Sequence, residues 1–346
     1  MYLILQLLFA WVSLVVAYRQ MGVFKLKNTR TLAHMLNSNR PDINAEIDTN
    51  PISLGEKRVN VGDLTKIGVV AANAFLISSL GVAPDSAGAV DGSDPIVVLG
   101  SRGKTGKLIV EQLASKGAKV IPALRDTSKA DEFKSLGVQL PVAADVTKID
   151  TLSAAISGAS VVVFAASASS KGGNAKDVDY IGVENVAKEC VRLGVSRLVV
   201  ISSGAVTKPN SLGFKITNLF GGIMGYKLQG ENSVRSIYAA SNNDKLGYAI
   251  IRPGGLLDGA AVGAGGVELN QGDTISGEIN RADVAECAVA ATLSTSIPNR
   301  VTFEVYQAGK SGPLQSEFPA VSGFERSGVK LGADYEFLLK GLQKDT

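Results

Sequence analysis

The sequence has 346 residues, of which 45% are hydrophobic, 19% charged and 6% aromatic. A chain of this length and composition is globular and buries one large core or two smaller ones, which excludes disordered, collagen-like and disulfide-stabilised proteins. Lysine and arginine number 35 against 32 aspartates and glutamates, and no stretch interleaves basic and aromatic residues. Nucleic acid is therefore not an expected partner.

Histidine and cysteine are scarce in this chain. The one histidine, His34, lies in an N-terminal segment that we interpret as removed, and the rest of the chain has no imidazole. This excludes Ser-His-Asp catalysis, Cys-His catalysis and histidine-ligated zinc, and we expect no metal site. The two cysteines, Cys190 and Cys287, both fall in predicted helices, which favours a reducing compartment.

The first 90 residues have the composition of a targeting presequence. Residues 1–17 contain no charge and have the length of a signal-peptide core, since a transmembrane helix needs roughly 20 apolar residues. Residues 18–66 are rich in basic, hydroxyl and asparagine side chains and poorer in acids, as in organelle transit peptides. This order resembles the bipartite leaders of proteins imported into plastids bounded by extra membranes. We therefore expect a plastid protein, in the stroma or associated with the thylakoid.

A second uncharged stretch covers residues 67–84, and a linker that ends at residue 94 follows it. Three interpretations of this stretch stay open. It is a thylakoid-transfer signal, an anchor in a thylakoid or envelope membrane, or an apolar helix packed on the domain. Gly68, Asn73, Ser78 and Ser79 dilute its apolar character, which favours an ordinary presequence segment.

From residue 95 onwards, short β-branched runs alternate with segments of helical periodicity. Fully apolar runs, such as Ile-Val-Val-Leu at 96–99, indicate strands buried on both faces. The alternation predicts an α/β fold with a doubly wound parallel sheet, a Rossmann-like three-layer αβα domain over residues 95–310. Ligands of such sheets bind at the carboxyl ends of the strands. The predicted strands are 96–99, 119–124, 138–143, 160–165, 197–202, 248–252 and 301–305, and the predicted helices are 104–116, 130–136, 149–157, 178–193 and 227–240.

The first predicted strand runs into a loop with the pattern G-x-x-G-x-x-G, which opens a helix. Gly100 permits a tight turn, Gly103 lets a pyrophosphate approach the backbone, and Gly106 lets the helix pack closely on the strand. The N-terminus of the helix adds amide donors and a positive dipole. The predicted dinucleotide-binding residues of this loop are Gly100, Ser101, Arg102, Gly103, Lys104, Thr105 and Gly106.

The residues after the second predicted strand bear on the choice of nicotinamide nucleotide. An acid there binds the ribose 2′-hydroxyl of NAD, whereas a basic residue pairs with the 2′-phosphate of NADP. The chain has Arg125 followed by Asp126, and Arg102 faces the same corner. The two arginines favour NADP(H). NAD(H) is the alternative, in which Asp126 takes the hydroxyl and Arg125 is a solvated surface charge.

Two further strand ends supply candidate cofactor contacts. Asp145 and Val146 follow the third predicted strand, where we expect them to contact the adenine ring. Ala165, Ala166 and Ser167 follow the fourth, and their small side chains suit a position where a cofactor passes close to the backbone.

In order along residues 95–306, the motifs resemble those of atypical short-chain dehydrogenase/reductases of the NAD(P)-binding, NmrA-like family. The stretch 216–231 resembles plastid members, such as the NADP-binding subunit of the chloroplast inner-envelope translocon and its soluble relatives. The resemblance implies a Rossmann domain with a small C-terminal substrate lobe. The motifs are the glycine loop, Ala123-Leu-Arg-Asp, Asp145-Val, Val178-Asp-Tyr-Ile-Gly-Val-Glu-Asn, Val199-Val-Ile-Ser-Ser, Tyr226-Lys-Leu-Gln-Gly-Glu, Ile250-Ile-Arg-Pro-Gly-Gly-Leu and Arg281-Ala-Asp-Val-Ala-Glu.

The resemblance also implies roles for residues in the second half of the chain. Lys227 matches the lysine that binds the cofactor, and Pro253 and Gly254 match residues near the nicotinamide. The wider superfamily uses a tyrosine four residues before the lysine as its acid, together with a serine after the fifth strand. Here Ile223 stands at the tyrosine position.

The candidate catalytic residues are therefore Ser203, Tyr226 and Lys227. Neighbours on a helix point about 100 degrees apart, so Tyr226 does not simply replace the missing tyrosine. The Y-x-x-x-K match at Tyr306 and Lys310 comes after the last predicted strand, and we interpret it as chance.

Two functions fit these residues. The first is an NADPH-dependent oxidoreductase that reduces a small carbonyl or quinone-like compound in a plastid. The second is a non-catalytic NADP(H)-binding redox sensor or assembly factor for a plastid membrane complex. The missing tyrosine favours the second, and Ser203 and Lys227 are compatible with both.

The remaining segments carry no motif that identifies a substrate. We expect residues 211–225 and an irregular region at 256–273 to determine substrate choice. The tail, residues 311–346, has loop composition with a short helix at 334–342, and we expect it to pack on or near the domain.

Overall fold

The computed structural model of the chain describes residues 94–168, 173–219, 221–313 and 334–346, together with two short strands at 53–54 and 57–58. The chain divides into two units, Met1–Leu80 and Gly81–Thr346. In the first unit, Ser53–Leu54 pairs antiparallel with Lys57–Arg58. The predicted signal core, most of the transit-like segment, the second apolar stretch and His34 lie outside the described residues.

The strands described in the second unit are mostly short and buried. Eight of them form one sheet and three form a smaller one. They are β1 (Ile96–Leu99), β2 (Val120–Leu124), β3 (Val142–Ala143), β4 (Val161–Phe164), β5 (Arg197–Ile201), β6 (Gly247–Pro253), β7 (Gly255–Leu257), β8 (Val267–Asn270), β9 (Ile275–Asn280), β10 (Arg300–Gln307) and β11 (Ser311–Pro313).

The main sheet has the order β8-β10-β6-β5-β4-β1-β2-β3. Every neighbouring pair is parallel except β8 and β10. The central strands β1 and β4 are apolar and buried at every position, as expected of strands covered by helices on both faces. The chain order reverses between β1 and β4, and this switch point opens a crevice at their carboxyl ends.

Helices occupy both faces of the main sheet. Short 3-10 helices cover Thr127–Leu136 and Ala264–Gly266, and a π-helical segment, Lys176–Gly182, runs directly into α3. The described α-helices are α1 (Lys104–Ser115), α2 (Ile149–Ile156), α3 (Val183–Leu193), α4 (Leu212–Asn218), α5 (Ile223–Ala240), α6 (Arg281–Leu293) and α7 (Tyr335–Lys340).

The two faces of the sheet build separate hydrophobic cores, because successive strand residues point to opposite sides. Ile96 packs with α1, α6 and α7, whereas Val97 packs with α2, α3 and α5. Cys287 is buried in the first core and Cys190 in the second, and both are free thiols. Burial raises the pKa of both thiols, so they are inert packing residues. The predicted three-layer αβα architecture is confirmed.

The region predicted as irregular, 256–273, contains regular structure. After β6, β7 pairs parallel with β9, and β9 pairs antiparallel with β11. β8 joins the main sheet at its edge. Its residues Glu268 and Asn270 are polar but buried, which hides the strand from a hydrophobicity pattern.

Several element boundaries differ from the sequence prediction, among them the start of β3, the start of α5 and the ends of α7. β3 begins at Val142 because Pro141 has no amide hydrogen for a ladder. α5 begins at Ile223, one turn earlier than predicted, after Gly222 with φ +74°. α7 is capped by Asp334, whose carboxylate accepts the amide of Phe337 at 2.7 Å, and it ends at Lys340.

The end of the chain packs on the sheet. Leu338 and Leu339 are buried in the core shared with α1 and α6, and the Asp345 carboxylate accepts the amide of Thr302 on β10 at 2.9 Å. Over the described part of the chain, no helix combines the length and apolarity needed to cross a membrane.

Candidate functional site

The loop between β1 and α1 is shaped by its glycines. Gly100 has φ +80°, and a Cβ on it would lie 2.6 Å from the amide nitrogen of Ala166 in the loop after β4. A Cβ on Gly106 would overlap the carbonyl oxygen of Gly100, which accepts the amide of Gly103 at 2.9 Å. The loop therefore turns tightly and brings bare backbone to the switch point, beside Ala165 and Ala166.

The N-terminus of α1 is open to an anion. Gly103 at the N-cap provides no side-chain acceptor, and the first turn contains no acid. The first amides of a helix have no intrahelical partner, and the helix dipole makes this end positive. Lys104 and the half-buried Thr105 stand at this end. In its chemistry, this donor set fits the pyrophosphate of a dinucleotide.

Ser101 ties the loop to the sheet. Its side chain is fully buried and its hydroxyl donates to the carbonyl of Val98 at 2.5 Å. The same oxygen accepts the amide of Ala123 at 2.9 Å. The Ser101 hydroxyl thus joins the ends of β1 and β2.

Lys104 reaches across the mouth of the site. Its ammonium lies 2.7 Å from the carboxylate of Asp258, which follows β7, and Asp258 also pairs with Arg281 at the start of α6. The Lys104 and Asp258 side chains are 70% and 63% exposed. Exposed pairs of this kind contribute about 1 kcal/mol or less, so Asp258 holds Lys104 only weakly.

The charged side chains at the corner after β2 differ in whether they are paired. Arg102 donates to Glu132 at 2.9 Å, and this hydrogen bond lowers the pKa of Glu132. Asp126 caps the following 3-10 helix through the amide of Ser128 at 2.9 Å, and the bond to Ser128 lowers the pKa of Asp126. Arg125 is exposed and makes no ion pair with any described residue.

Asp145 and Val146 form the turn after β3. The Asp145 carboxylate accepts the amide of Thr147 at 3.0 Å and its hydroxyl at 2.8 Å. Val146 is buried, and a Cβ on Gly182 in the π-helical segment would lie 2.8 Å from its methyl group. Both side chains shape the turn, and their contact with an adenine ring stays a prediction.

A buried carboxylate that the sequence analysis missed lies beside Lys227. Asp179, in the π-helical segment, is buried, and its Oδ1 lies 2.9 Å from the Lys227 ammonium. The Ser167 hydroxyl donates to Oδ1 and the Ala168 amide donates to Oδ2, both at 2.8 Å. Asp179 thus joins the loop after β4 to α5.

Asp179 was detectable in the motif Val178-Asp-Tyr-Ile, because its neighbours Val178 and Ile181 are apolar and a buried aspartate needs a partner. The π-helical geometry around it is typical of functional sites.

Ser203 and Tyr226, the two hydroxyl candidates, lie on segments that pack together. Ser203 follows β5, is half-buried, and its hydroxyl donates to the next carbonyl at 3.1 Å. Tyr226 lies in the first turn of α5, is half-buried, and its hydroxyl has no hydrogen bond within the described part of the chain. Met224 of the same turn packs against Ala205 in the Ser203 loop.

Pro253 and Gly254 end β6 beside the buried ring of Tyr306. The Pro253 carbonyl accepts the amide of Gly204 at 2.8 Å, and a Cβ on Gly254 would lie 2.7 Å from the Tyr306 ring. The Tyr306 hydroxyl donates to the carbonyl of Ile275 at 2.7 Å, and burial raises its pKa. Tyr306 is therefore a buried packing residue whose hydroxyl is already bonded to the backbone. The described residues contain no cluster of three or more histidine, cysteine or acidic side chains that is able to hold a metal ion.

Comparisons with known proteins bear on this crevice. The sequence profile of a family described as NAD(P)H-binding matches residues 100–295. An uncharacterized chloroplastic protein of Arabidopsis thaliana is 35% identical over 212 residues, which cover 57% of this chain and 71% of that protein. Protein TIC 62, chloroplastic, of Pisum sativum is 26% identical over 215 residues, 55% of this chain but 39% of that protein.

Among solved structures, a putative NAD-dependent epimerase/dehydratase from Bacillus halodurans matches with a TM-score of 0.54 and 22% identity. The match covers 64% of this chain and 97% of that one. At this identity the match shows that the two proteins share a fold.

Proposed function

We propose, from the premise that this chain belongs to the NAD(P)H-binding family of atypical short-chain dehydrogenase/reductases, that it is an NADP(H)-dependent oxidoreductase of a small quinone-like or carbonyl compound. The observation that carries the proposal is the glycine loop. Its bare backbone and the uncapped N-terminus of α1 meet at the switch point of the sheet.

The preference for NADP(H) over NAD(H) rests on the corner after β2. Arg125 is exposed and unpaired among the described residues, whereas the Asp126 carboxylate is occupied by the Ser128 amide. A carboxylate that caps a helix is a poor partner for a ribose hydroxyl. An unpaired guanidinium is a good partner for a 2′-phosphate. Arg102 lies nearby and is 44% exposed, but its charge is paired with Glu132, so the preference rests mainly on Arg125.

The remaining candidate residues act near the nicotinamide half of the site. NADPH, when bound, supplies a hydride. Lys227, held by Asp179, donates hydrogen bonds to ribose hydroxyls. Pro253 and Gly254 leave the end of β6 free of bulky side chains. Ser203 and Tyr226 donate to the substrate oxygen, since their hydroxyls make one weak bond and none, respectively, within the described residues.

The surroundings of Lys227 favour a quinone-like or conjugated substrate. Asp179 balances the Lys227 charge. The paired ammonium therefore stabilises the phenolate form of a neighbouring tyrosine less than an unpaired ammonium would. A conjugated carbonyl or quinone gives a delocalised, weakly basic anion when it accepts a hydride. Such a substrate needs a weaker proton donor than a simple ketone, and Ser203 or Tyr226 suffices.

Localisation in a plastid is part of the proposal. The relatives from Arabidopsis thaliana and Pisum sativum carry chloroplastic names, and residues 1–66 have the composition of a signal core followed by a transit peptide. Imaging of a fluorescent fusion to residues 1–94 tests it, and a cytosolic signal would contradict it.

The enzymatic proposal is tested by steady-state NADPH oxidation against a panel of quinones, conjugated carbonyls and simple ketones. We expect turnover with the conjugated compounds, and its loss in Lys227→Ala. Lys188→Ala is the matched control, because Lys188 on α3 is also a lysine in an ion pair, with Glu184, but its side chain is 51% exposed. Tight NADPH binding without turnover of any compound would contradict the proposal that the protein is an oxidoreductase.

That last outcome would support the alternative, a nucleotide-binding redox sensor or assembly factor. The observation that favours this alternative is Ile223 at the position of the expected acid, on the first turn of α5. A sensor is expected to bind NADPH and NADP+ with different affinities and to change its membrane or protein contacts between the two forms.

A further inference from the structure

The loop after β5, which carries Ser203, adopts a strained conformation. Ala205 has φ +65°, a left-handed value that an L-residue with a Cβ rarely adopts. The loop is also fixed at Gly204, whose amide donates to the Pro253 carbonyl. A conformation of this kind persists when the surrounding structure holds it, and such positions are frequent at functional sites.

The group that holds the loop is the carboxylate of Asp273. It lies in the turn between β8 and β9 and is fully buried. Its Oδ1 accepts the amide of Ala205 at 2.5 Å, and its Oδ2 accepts both the amide of Thr207, at 2.9 Å, and the hydroxyl of Thr207, at 2.8 Å. All three bonds go to one loop, on the C-terminal side of Ser203.

Asp273 is held in turn by a chain of buried charges that returns to the other side of Ser203. The Asp273 amide donates to Glu304 at 3.0 Å, and Glu304 accepts Arg252 at 3.1 Å. Arg252 donates to Glu231 at 2.6 Å, and Glu231 accepts the Ser202 hydroxyl at 2.5 Å. These contacts form a closed ring that is attached to the loop at Ser202 and at Ala205, and Ser203 lies between the two.

The charges in this ring depend on one another. Burial opposes ionisation of Glu231, but Arg252 reverses the effect and lowers the pKa of Glu231. The same two carboxylates, Glu231 and Glu304, raise the pKa of Arg252 despite its burial. Buried ion pairs are weak contributors to stability compared with apolar packing, so a ring of them indicates a role in conformation.

We propose that Asp273 is a positioning residue. It holds the loop 202–207 so that the Ser203 hydroxyl faces the substrate oxygen, with Glu304 as its support. This inference rests on the proposed function, because it assigns a purpose to the position of Ser203. Neither Asp273 nor Glu304 follows a strand at the crevice, and no sequence motif marks either residue.

The first test needs no variant. In the wild-type protein, we expect the amides of Ala205 and Thr207 to exchange with deuterium slowly, like those of β5, although they lie in a loop beyond the end of that strand. Exchange as fast as in the exposed turn at Asn242 would overturn the proposal. This readout does not depend on catalysis, so it separates failure of the inference from failure of the proposed function.

The second test compares variants that keep the backbone conformation. Asp273 has φ +58°, which glycine and asparagine tolerate. Asp273→Gly removes all three acceptors, and Asp273→Asn leaves one oxygen able to accept. Asn242→Gly is the matched control, because Asn242 has φ +48° in an exposed turn after α5.

We expect exchange at Ala205 and Thr207 to accelerate in Asp273→Gly, to a smaller extent in Asp273→Asn, and to stay unchanged in the control. With a substrate from the panel, kcat is expected to fall by about 10- to 100-fold, as for other small misplacements of catalytic groups. The dissociation constant for NADPH is expected to stay within about twofold. Unchanged exchange in Asp273→Gly, or unchanged kcat with accelerated exchange, would overturn the positioning role.

Discussion

The ammonium of Lys227 lies 2.9 Å from the carboxylate of Asp179, and the two side chains are 13% and 0% exposed. This pair joins the π-helical segment to α5, and through Ser167 and Ala168 it also holds the loop after β4. Lys227, which the family resemblance assigns to cofactor binding, is therefore held in place by the buried carboxylate of Asp179.

Asp179 and Lys227 are expected to be strongly coupled. Removal of one partner leaves a buried charge without compensation, which costs about 3–5 kcal/mol, whereas exposed pairs contribute about 1 kcal/mol or less. A double-mutant cycle of Asp179→Asn and Lys227→Met, followed by urea unfolding, measures the coupling. The matched control is the cycle of Glu184→Gln and Lys188→Met, a pair with side chains 25% and 51% exposed. Equal coupling energies in the two cycles would contradict the structural role of the buried pair.

Arg125 is expected to select the phosphorylated nucleotide. Loss of a charge-assisted hydrogen bond to a phosphate costs about 1.5–3 kcal/mol, or roughly 10- to 100-fold in affinity. Arg125→Ala is therefore expected to lower the affinity for NADPH by this factor in a fluorescence titration. The affinity for NADH is expected to stay within about twofold of the wild-type value. Lys129→Ala, at an exposed lysine four residues on, is the control. A parallel loss for both nucleotides would show that Arg125 does not read the 2′-position.

Gly100 is expected to tolerate no Cβ. Gly100→Ala incurs about 1–2 kcal/mol for its left-handed φ, and a further 1–3 kcal/mol, roughly, for the overlap with the Ala166 backbone. Gly117→Ala is the control, since Gly117 has φ +75° and no atom within 4 Å of its Cβ position. Urea unfolding and NADPH titration check both variants. The control is expected to lose about 1–2 kcal/mol and to bind NADPH normally, whereas Gly100→Ala loses binding.

Glu304 is expected to make stability fall as pH rises. Burial, together with the Asp273 charge and against the pull of Arg252, raises its pKa from about 4.5 to about 7. The folded protein therefore keeps a proton that the unfolded chain releases between pH 4.5 and 7. The contribution of Glu304 to the free energy of unfolding declines through this window, by at most about 1.4 kcal/mol per pH unit.

Glu304→Gln tests this pH dependence because glutamine does not titrate. Its stability relative to wild type is expected to increase between pH 5 and pH 7 and to level off above pH 7, as measured by urea unfolding at each pH. Glu132→Gln serves as control, since Glu132 is on the surface and its pKa is lowered by Arg102. Parallel curves for wild type and Glu304→Gln would contradict the raised pKa.

Much of the architecture was predictable because it depends on local patterns. The fully apolar runs at 96–99 and 161–164 identified central strands, and the glycine spacing identified the turn into α1. Boundaries were less predictable. α5 starts one turn before the predicted residue. Its N-cap is Gly222, whose φ of +74° suits a glycine, and the apolar periodicity of the sequence does not indicate this start.

The polar strand β8 shows where the pattern failed. Glu268 and Asn270 are buried at the edge of the sheet, and Asn270 donates to Glu304 at 3.1 Å on the neighbouring strand. A polar residue is buried when a distant part of the chain provides its partner. That partner is invisible to a reading of consecutive residues.

The sequence by itself determined the class of the fold, the place of the crevice and the residues of the glycine loop, because each follows from periodicity or from glycines within a few positions of one another. The tertiary structure decided which charges are free. Asp126 accepts the Ser128 amide, whereas Arg125 has no ion pair among the residues that the structure describes. Lys227 is paired with Asp179, and Asp273 accepts hydrogen bonds from the Ser203 loop. Ion pairs and hydrogen bonds of this kind act over a few ångströms, and folding brings together groups as distant in the chain as Lys104 and Asp258, which are 154 positions apart.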